Sequence, residues 1–94
     1  MLPPDPGMII ERGRRCAALL TPGSEFLAVI DDLSNYHMQA IAACPIGPAS
    51  APTITHHHVL HTAIKEIAEQ VQAFAQAGAE LEDAAVDKEF DIDD

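Results

Sequence analysis

Five histidines are the residues of this chain best suited to chemistry near neutral pH, and four of them fall close together: His56, His57, His58 and His61. An imidazole can take up a proton in that range or lend a ring nitrogen to a metal ion. At helical spacing His57 and His61 are four apart and His58 and His61 three apart, so either pair can aim nitrogens at one ion. The fifth, His37, comes within reach if the chain folds back about residue 49. Positions whose numbers sum to about 98 would then face one another, setting His37 near His61 and Cys44 near Ile54 or His57. His37, His57 and His61, with Cys44 beside them, form the one set whose geometry could suit a metal. No HExxH run and no paired-cysteine spacing supports it, so the expectation is no metal site and no cofactor. A simpler account makes His56 to His58 the first turn of a helix, where the dipole disfavours imidazolium, and seats His37 in a helical seam with Tyr36 or a backbone group as its hydrogen-bond partner.

Nucleophilic chemistry finds little support. Cys16 and Cys44 could each approach a histidine, but there is no oxyanion device, no glycine-rich phosphate loop and no second domain to close a cleft. Asp31 and Asp32 are adjacent and diverge on a helix, as on a solvated face. No catalytic residue is expected, and the chain reads as a non-enzyme. Arg12, Arg14 and Arg15 are the only basic cluster. They read either as a solubilising face or as a docking surface for acidic groups on a partner or on a neighbouring copy.

The elements that carry these residues follow from a 4-3-4-3 hydrophobic rhythm. It runs through Phe26, Ile30, Leu33, His37, Ala40 and Cys44, and again through Leu60, Ile64, Ile67, Val71, Phe74, Gly78 and Leu81. That spacing keeps one narrow apolar seam on one face of a helix. Between the two rows lies Pro45-Ile46-Gly47-Pro48-Ala49-Ser50-Ala51-Pro52, a stiff connection. The predicted fold is all-α: an antiparallel helical hairpin over 22–78, with helices at 22–44 and 54–78. Residues 1–7 form an extended arm, 8–20 a short helix, and 79–94 an acidic, flexible tail. Asp5 and Pro6 suit the start of the first helix, Thr21 the cap of the second, Thr53 or Thr55 the cap of the third, and Gly78 its end, although Leu81 and Ala85 prolong the seam and could carry the helix further. Phe26, Ile30, Leu33, Leu60, Ile64, Ile67, Val71 and Phe74 are the expected interaction seam.

Charge narrows the partners. The formal net charge is −10, and residues 80–94 alone hold eight acids against Lys88. Such a balance repels phosphate backbones and argues against nucleic acid. No apolar run reaches membrane-spanning length, and the Pro-broken, acidic first residues do not resemble a secretory signal. With Cys16 and Cys44 outside any CxxC pattern, a reduced, intracellular setting is the expectation.

The stretch Ile10-Glu11-Arg12-Gly13-Arg14-Arg15-Cys16-Ala17-Ala18-Leu19-Leu20, with a Pro-containing break and then Phe26-Leu27-Ala28-Val29-Ile30-Asp31-Asp32-Leu33, resembles small uncharacterised proteins of tailed bacteriophages. Their genes sit among the head and packaging genes. The resemblance covers about residues 9–78, with Thr21-Pro22 replacing an acidic-Pro pair and Cys16 an alanine. It implies a role in virion architecture, in the virion or the host cytoplasm, with protein partners or copies of the same chain. The alternatives are a DNA-packaging factor resembling a small terminase subunit, and a metal- or pH-responsive regulator built on the histidines.

Overall fold

A computed structural model describes residues 5–92, with side chains through Val86. The regular structure of the described residues is entirely helical: α1 spans Pro6–Leu19, α2 Glu25–Ala42 and α3 Ala51–Ile92, with one 3₁₀ turn at Pro48–Ser50 leading into α3. It divides into two compact units. One comprises the chain to Thr21 together with α3 from Gln70 onward, and the other is Pro22–Glu69.

Local chemistry sets the helix ends. Asp5 caps α1 by accepting from the Gly7 amide at 3.0 Å, and Pro6 occupies the first turn, where its missing N–H has no helical partner to lose. Thr21 does not cap α2. Its hydroxyl instead donates back to the Ala17 carbonyl at 3.4 Å. Gly23 then takes a φ of +86°, which a side chain would resist, and Ser24 caps by accepting from Leu27 N at 3.2 Å. The second helix therefore starts at Glu25 and not at 22.

At the far end, Ser50 Oγ donates to the Pro45 carbonyl at 2.7 Å and Gly47 adopts a φ of +147°. This tight turn lets α3 begin at Ala51, so neither Thr53 nor Thr55 is its cap. Pro52 is tolerated because it lies in the first turn.

The largest departure lies at the other end of α3. Gly78 does not terminate the helix, and residues 79–92, expected as a flexible tail, continue it. Gln76 Nε2 donates to Glu80 Oε1 at 3.1 Å, and Glu82 pairs with Arg14 of α1. The helix also gains from Leu81, Ala84 and Ala85, which are strong or adequate helix formers. Residues 93 and 94, the end of the expected tail, lie outside the described residues.

Gly78 persists inside α3 for a packing reason. In the first unit α1 crosses α3 at Gly13 and Gly78: a Cβ on Gly13 would lie 2.7 Å from Gly78 Cα, and one on Gly78 2.8 Å from Gly13 Cα. Only hydrogen fits there. Cys16, 8% exposed, is covered one turn further along α1. Each glycine lowers helix propensity by about 1 kcal/mol relative to alanine, which the close backbone contact must offset.

Gly13→Ala and Gly78→Ala should each improve local helix propensity yet destabilise the first unit, by about 1–3 kcal/mol for an overpacked contact. Denaturant unfolding followed by circular dichroism measures the loss. The Cys16 thiol should also react faster with a thiol reagent in both variants, and unchanged reactivity would contradict this crossing.

Candidate functional site

The second unit brings the histidines together. His37 Nδ1 lies 2.9 Å from His57 Nδ1, and Ser34 Oγ lies 2.9 Å from His61 Nε2. As the α2 partner steps back from 37 to 34, the α3 partner steps forward from 57 to 61, so α2 and α3 run antiparallel. The facing positions sum to 94 or 95 and not to 98, because the hairpin folds about Gly47. His37 therefore meets His57, not His61. The difference is about one helical turn.

His37 is 7% exposed and is the only buried polar side chain among the described residues. Two imidazoles joined nitrogen to nitrogen need opposite roles: one Nδ1 carries the hydrogen and the other accepts it. Tyr36 closes this pair edge-on, with ring centroids 5.1 Å from His37 and 6.0 Å from His57, and His56 stacks edge-on against His57 at 5.3 Å. The pKa of His37 is lowered from the usual imidazole value, chiefly by desolvation and then by the neighbouring His57, His56 and His61.

No group of three His, Cys, Asp or Glu side chains among the described residues is arranged to hold a metal ion. His37 and His57 spend their facing nitrogens on each other, and His61 turns to Ser34. Cys44, the remaining member of the conceivable set, has its thiol directed at the Ala40 carbonyl, 3.3 Å away.

The seam itself differs from the one expected. Phe26, Ile30, Ile64 and Val71 are half-buried, whereas Leu33, Leu60, Ile67 and Phe74 are exposed, Ile67 to 53%. In the second unit the inner row is Leu27, Ile30, Ser34, His37 and Ile41 of α2, with Cys44 just beyond its end, and His57, His61, Ile64 and Ala68 of α3. The row along α3 is displaced by one residue because small and polar side chains occupy the space between the helices, and the bulkier neighbours turn outward.

That displacement has a consistent sense. Val29, Leu33 and Tyr36 each precede a seam residue of α2, and Leu60 and Ile67 each precede one of α3. One position back is a turn of about 100° in the same sense on each helix. For antiparallel helices both turns lead to the same side of the hairpin, so these five residues share one face with Ala40, His56 and Ala63. The residues that follow the seam positions along the two helices are Ala28, Asp31, Asn35, Met38, Ala42, His58, Thr62, Lys65 and Glu69, so the opposite side is the more polar one. Tyr36 lies beside His37 as the sequence suggests, whereas Val29 and Ser34 have no part in the expected seam; the signal available for Ser34 is its place three residues before His37 on the same face.

In the first unit the three arginines all have intramolecular partners. The Arg12 guanidinium lies 5.1 Å from the Phe74 ring centroid, Arg14 pairs with Glu82, and Arg15 pairs with Glu11 at 2.5 Å. These ion pairs are exposed and worth at most about 1 kcal/mol each. Met8, Ile9, Phe74 and Ala77, with Glu11, Arg12 and Arg15, line an open cleft of about 470 Å³.

Fold and site together define an all-α protein in which His37, His57 and His61 lie between two helices and many of the bulky apolar side chains lie outside them. Comparison with protein-family models, with curated proteins and with solved structures finds no match. No helix among the described residues is long and apolar enough to cross a membrane.

If His37 and His57 satisfy each other, His37→Leu and His57→Leu should each lower the thermal midpoint by leaving a half-buried ring without its partner. The double variant H37L/H57L should recover much of the loss. Additive losses in a double-mutant cycle would show that the two rings are not coupled.

Proposed function

We propose that this chain is a non-enzymatic association subunit, a helical hairpin that docks onto other protein through the face bearing Val29, Leu33, Tyr36, Leu60 and Ile67. One observation carries the reading: among the described residues no large side chain is fully buried, while these five bulky ones are exposed on one side. A chain that is 48% hydrophobic and hides so little gains most by covering that face. Each such side chain contributes about 1.5–3 kcal/mol when it leaves water completely. A second copy of the hairpin is a suitable occupant, since two antiparallel pairs joined by apolar faces make a four-helix bundle.

The narrower reading, a head-, portal- or neck-associated component of a tailed phage or of its assembly, rests on the resemblance of about residues 9–78 to small phage proteins. A DNA-packaging role is the weaker reading. Arg12, Arg14 and Arg15 already face Phe74, Glu82 and Glu11, and α2, the nominal recognition helix, begins at Glu25 and carries Asp31 and Asp32.

Leu33→Glu and Ile67→Glu should weaken association at least about tenfold, the effect of losing roughly 1.4 kcal/mol. Met38→Glu, on the polar side, should leave it unchanged. Sedimentation velocity over a concentration series reads the difference. A wild-type chain that stays monomeric at millimolar concentration and binds no virion component would refute the proposal.

A further inference from the structure

We infer that the His37–His57 pair is a proton-operated latch beneath the docking face, holding α2 to α3 while at most one of its two rings is charged and releasing them, with the face they build, when both are. The inference rests on the docking reading for what is released, but the latch stands on its own geometry.

The proton count follows from the 2.9 Å contact between the two Nδ1 atoms. In the neutral pair one ring donates from Nδ1 and the other accepts. A first proton can enter Nε2 of the donor ring, leaving the N–H···N bond intact and charge-assisted. A second must enter the accepting Nδ1 itself. Two N–H groups then point at each other across a distance that fits one hydrogen, and two positive charges share a seam where His37 has little access to water. The rings have to separate.

Nothing nearby offsets that charge. From α3 the groups facing His37 are His57, His56 and His61, imidazoles that bring no negative charge; from α2 the neighbour is the Tyr36 ring. No carboxylate pairs with any of these histidines among the described residues. The sign follows from linkage. Because the folded pKa of His37 lies below its unfolded value of 6.5, the unfolded chain binds more protons as pH falls through that value. Stability contributed by the pair is complete above about pH 6.5 to 7. It is lost on acidification until the lowered folded pKa is passed, at no more than about tenfold in the folding equilibrium per pH unit for each proton taken up.

The link to docking is Tyr36. Its ring sits edge-on to both imidazoles and is also 60% exposed on the apolar face, so it moves when they part. It is the only tyrosine, and the chain has no tryptophan, which makes its near-ultraviolet circular dichroism a local reporter.

The test uses the full chain at two concentrations. In dilute solution the Tyr36 signal should be lost between pH 7.5 and 5, and histidine NMR should show one of the two rings protonated at Nδ1 at the higher pH. At high concentration the association seen at pH 7.5 should fall at least tenfold over the same range. His57→Gln, which can still bond but cannot titrate, should flatten both curves. A Tyr36 signal unmoved down to pH 5, or the same pH dependence in His57→Gln, would overturn the latch. Histidine titration of the wild-type chain decides the matter even where that variant folds poorly, since two independent ordinary titrations would also overturn it. Absence of association at pH 7.5 with an intact Tyr36 transition would sink the docking reading and leave the latch standing.

Discussion

Space between the helices is the constraint on which the rest of this structure depends. At the α1–α3 crossing the backbones are so close that Gly13 and Gly78 admit only hydrogen, and between α2 and α3 the contact is filled by Ser34, His37, His57, His61 and Ala68 among the aliphatic residues. Side chains of that size pack closely without burying much area. Dispersion and a few hydrogen bonds then hold each unit, and the hydrophobic contribution that a leucine-filled seam would supply is largely absent. Leu33, Leu60, Ile67 and Phe74 are displaced outward as a direct result.

A helix pair held in this way stabilises itself only modestly, because conformational entropy of about 1–2 kcal/mol per ordered residue has to be met from a small buried area. The balance improves greatly if the outward row is covered. Its arrangement favours that outcome: apart from His56 the residues preceding the seam positions on α2 and α3 are apolar or aromatic, while those following them include Asp31, Lys65 and Glu69. The formal charge of −10 is thereby kept off the face that would meet a partner. Like charges at the edges of an interface slow encounter more than they weaken the final contact, so an acidic chain can still associate through a neutral face.

Helix number, order and antiparallel sense were legible from the 4-3-4-3 rows and the proline-rich break. The rows left one ambiguity, and it proved decisive. Along α3, the series 60, 64, 67, 71, 74, 78 and the series 57, 61, 64, 68, 71, 75, 78 both step by four and three, and they share Ile64, Val71 and Gly78. Bulk favoured the first series, whereas close approach selects the second, with Ala68, Ala75 and Gly78. No rule of periodicity separates them; only the distance between the helices does. Gly78 misled for a related reason, since a glycine read as a helix terminator was serving helix contact. The acidic stretch after it lacks apolar periodicity from Asp87 onward and so reads as tail; what its acid density does not show is that Glu82 pairs with Arg14 from another helix.

The same ambiguity explains why polar groups belong in the seam. Rows that repeat every three or four residues can slip by one turn and still match apolar to apolar, and the pairing about residue 49 is such a slipped arrangement. In it His37 would face His61, while His57 would meet Ile41 and Ser34 would meet Ile64, leaving polar atoms against hydrocarbon. In the observed register both polar pairs are satisfied, His37 with His57 and Ser34 with His61. An unsatisfied half-buried polar group costs on the order of 1–3 kcal/mol, comparable to the gain from a large apolar contact, so two such penalties distinguish registers that the aliphatic residues cannot. Buried polar residues in other helical assemblies set register in this way at some expense of stability. Two of the groups that choose the register here, His37 and His57, are the pair we infer to act as the latch, so the contact that aligns α2 on α3 is the same one that acid would open.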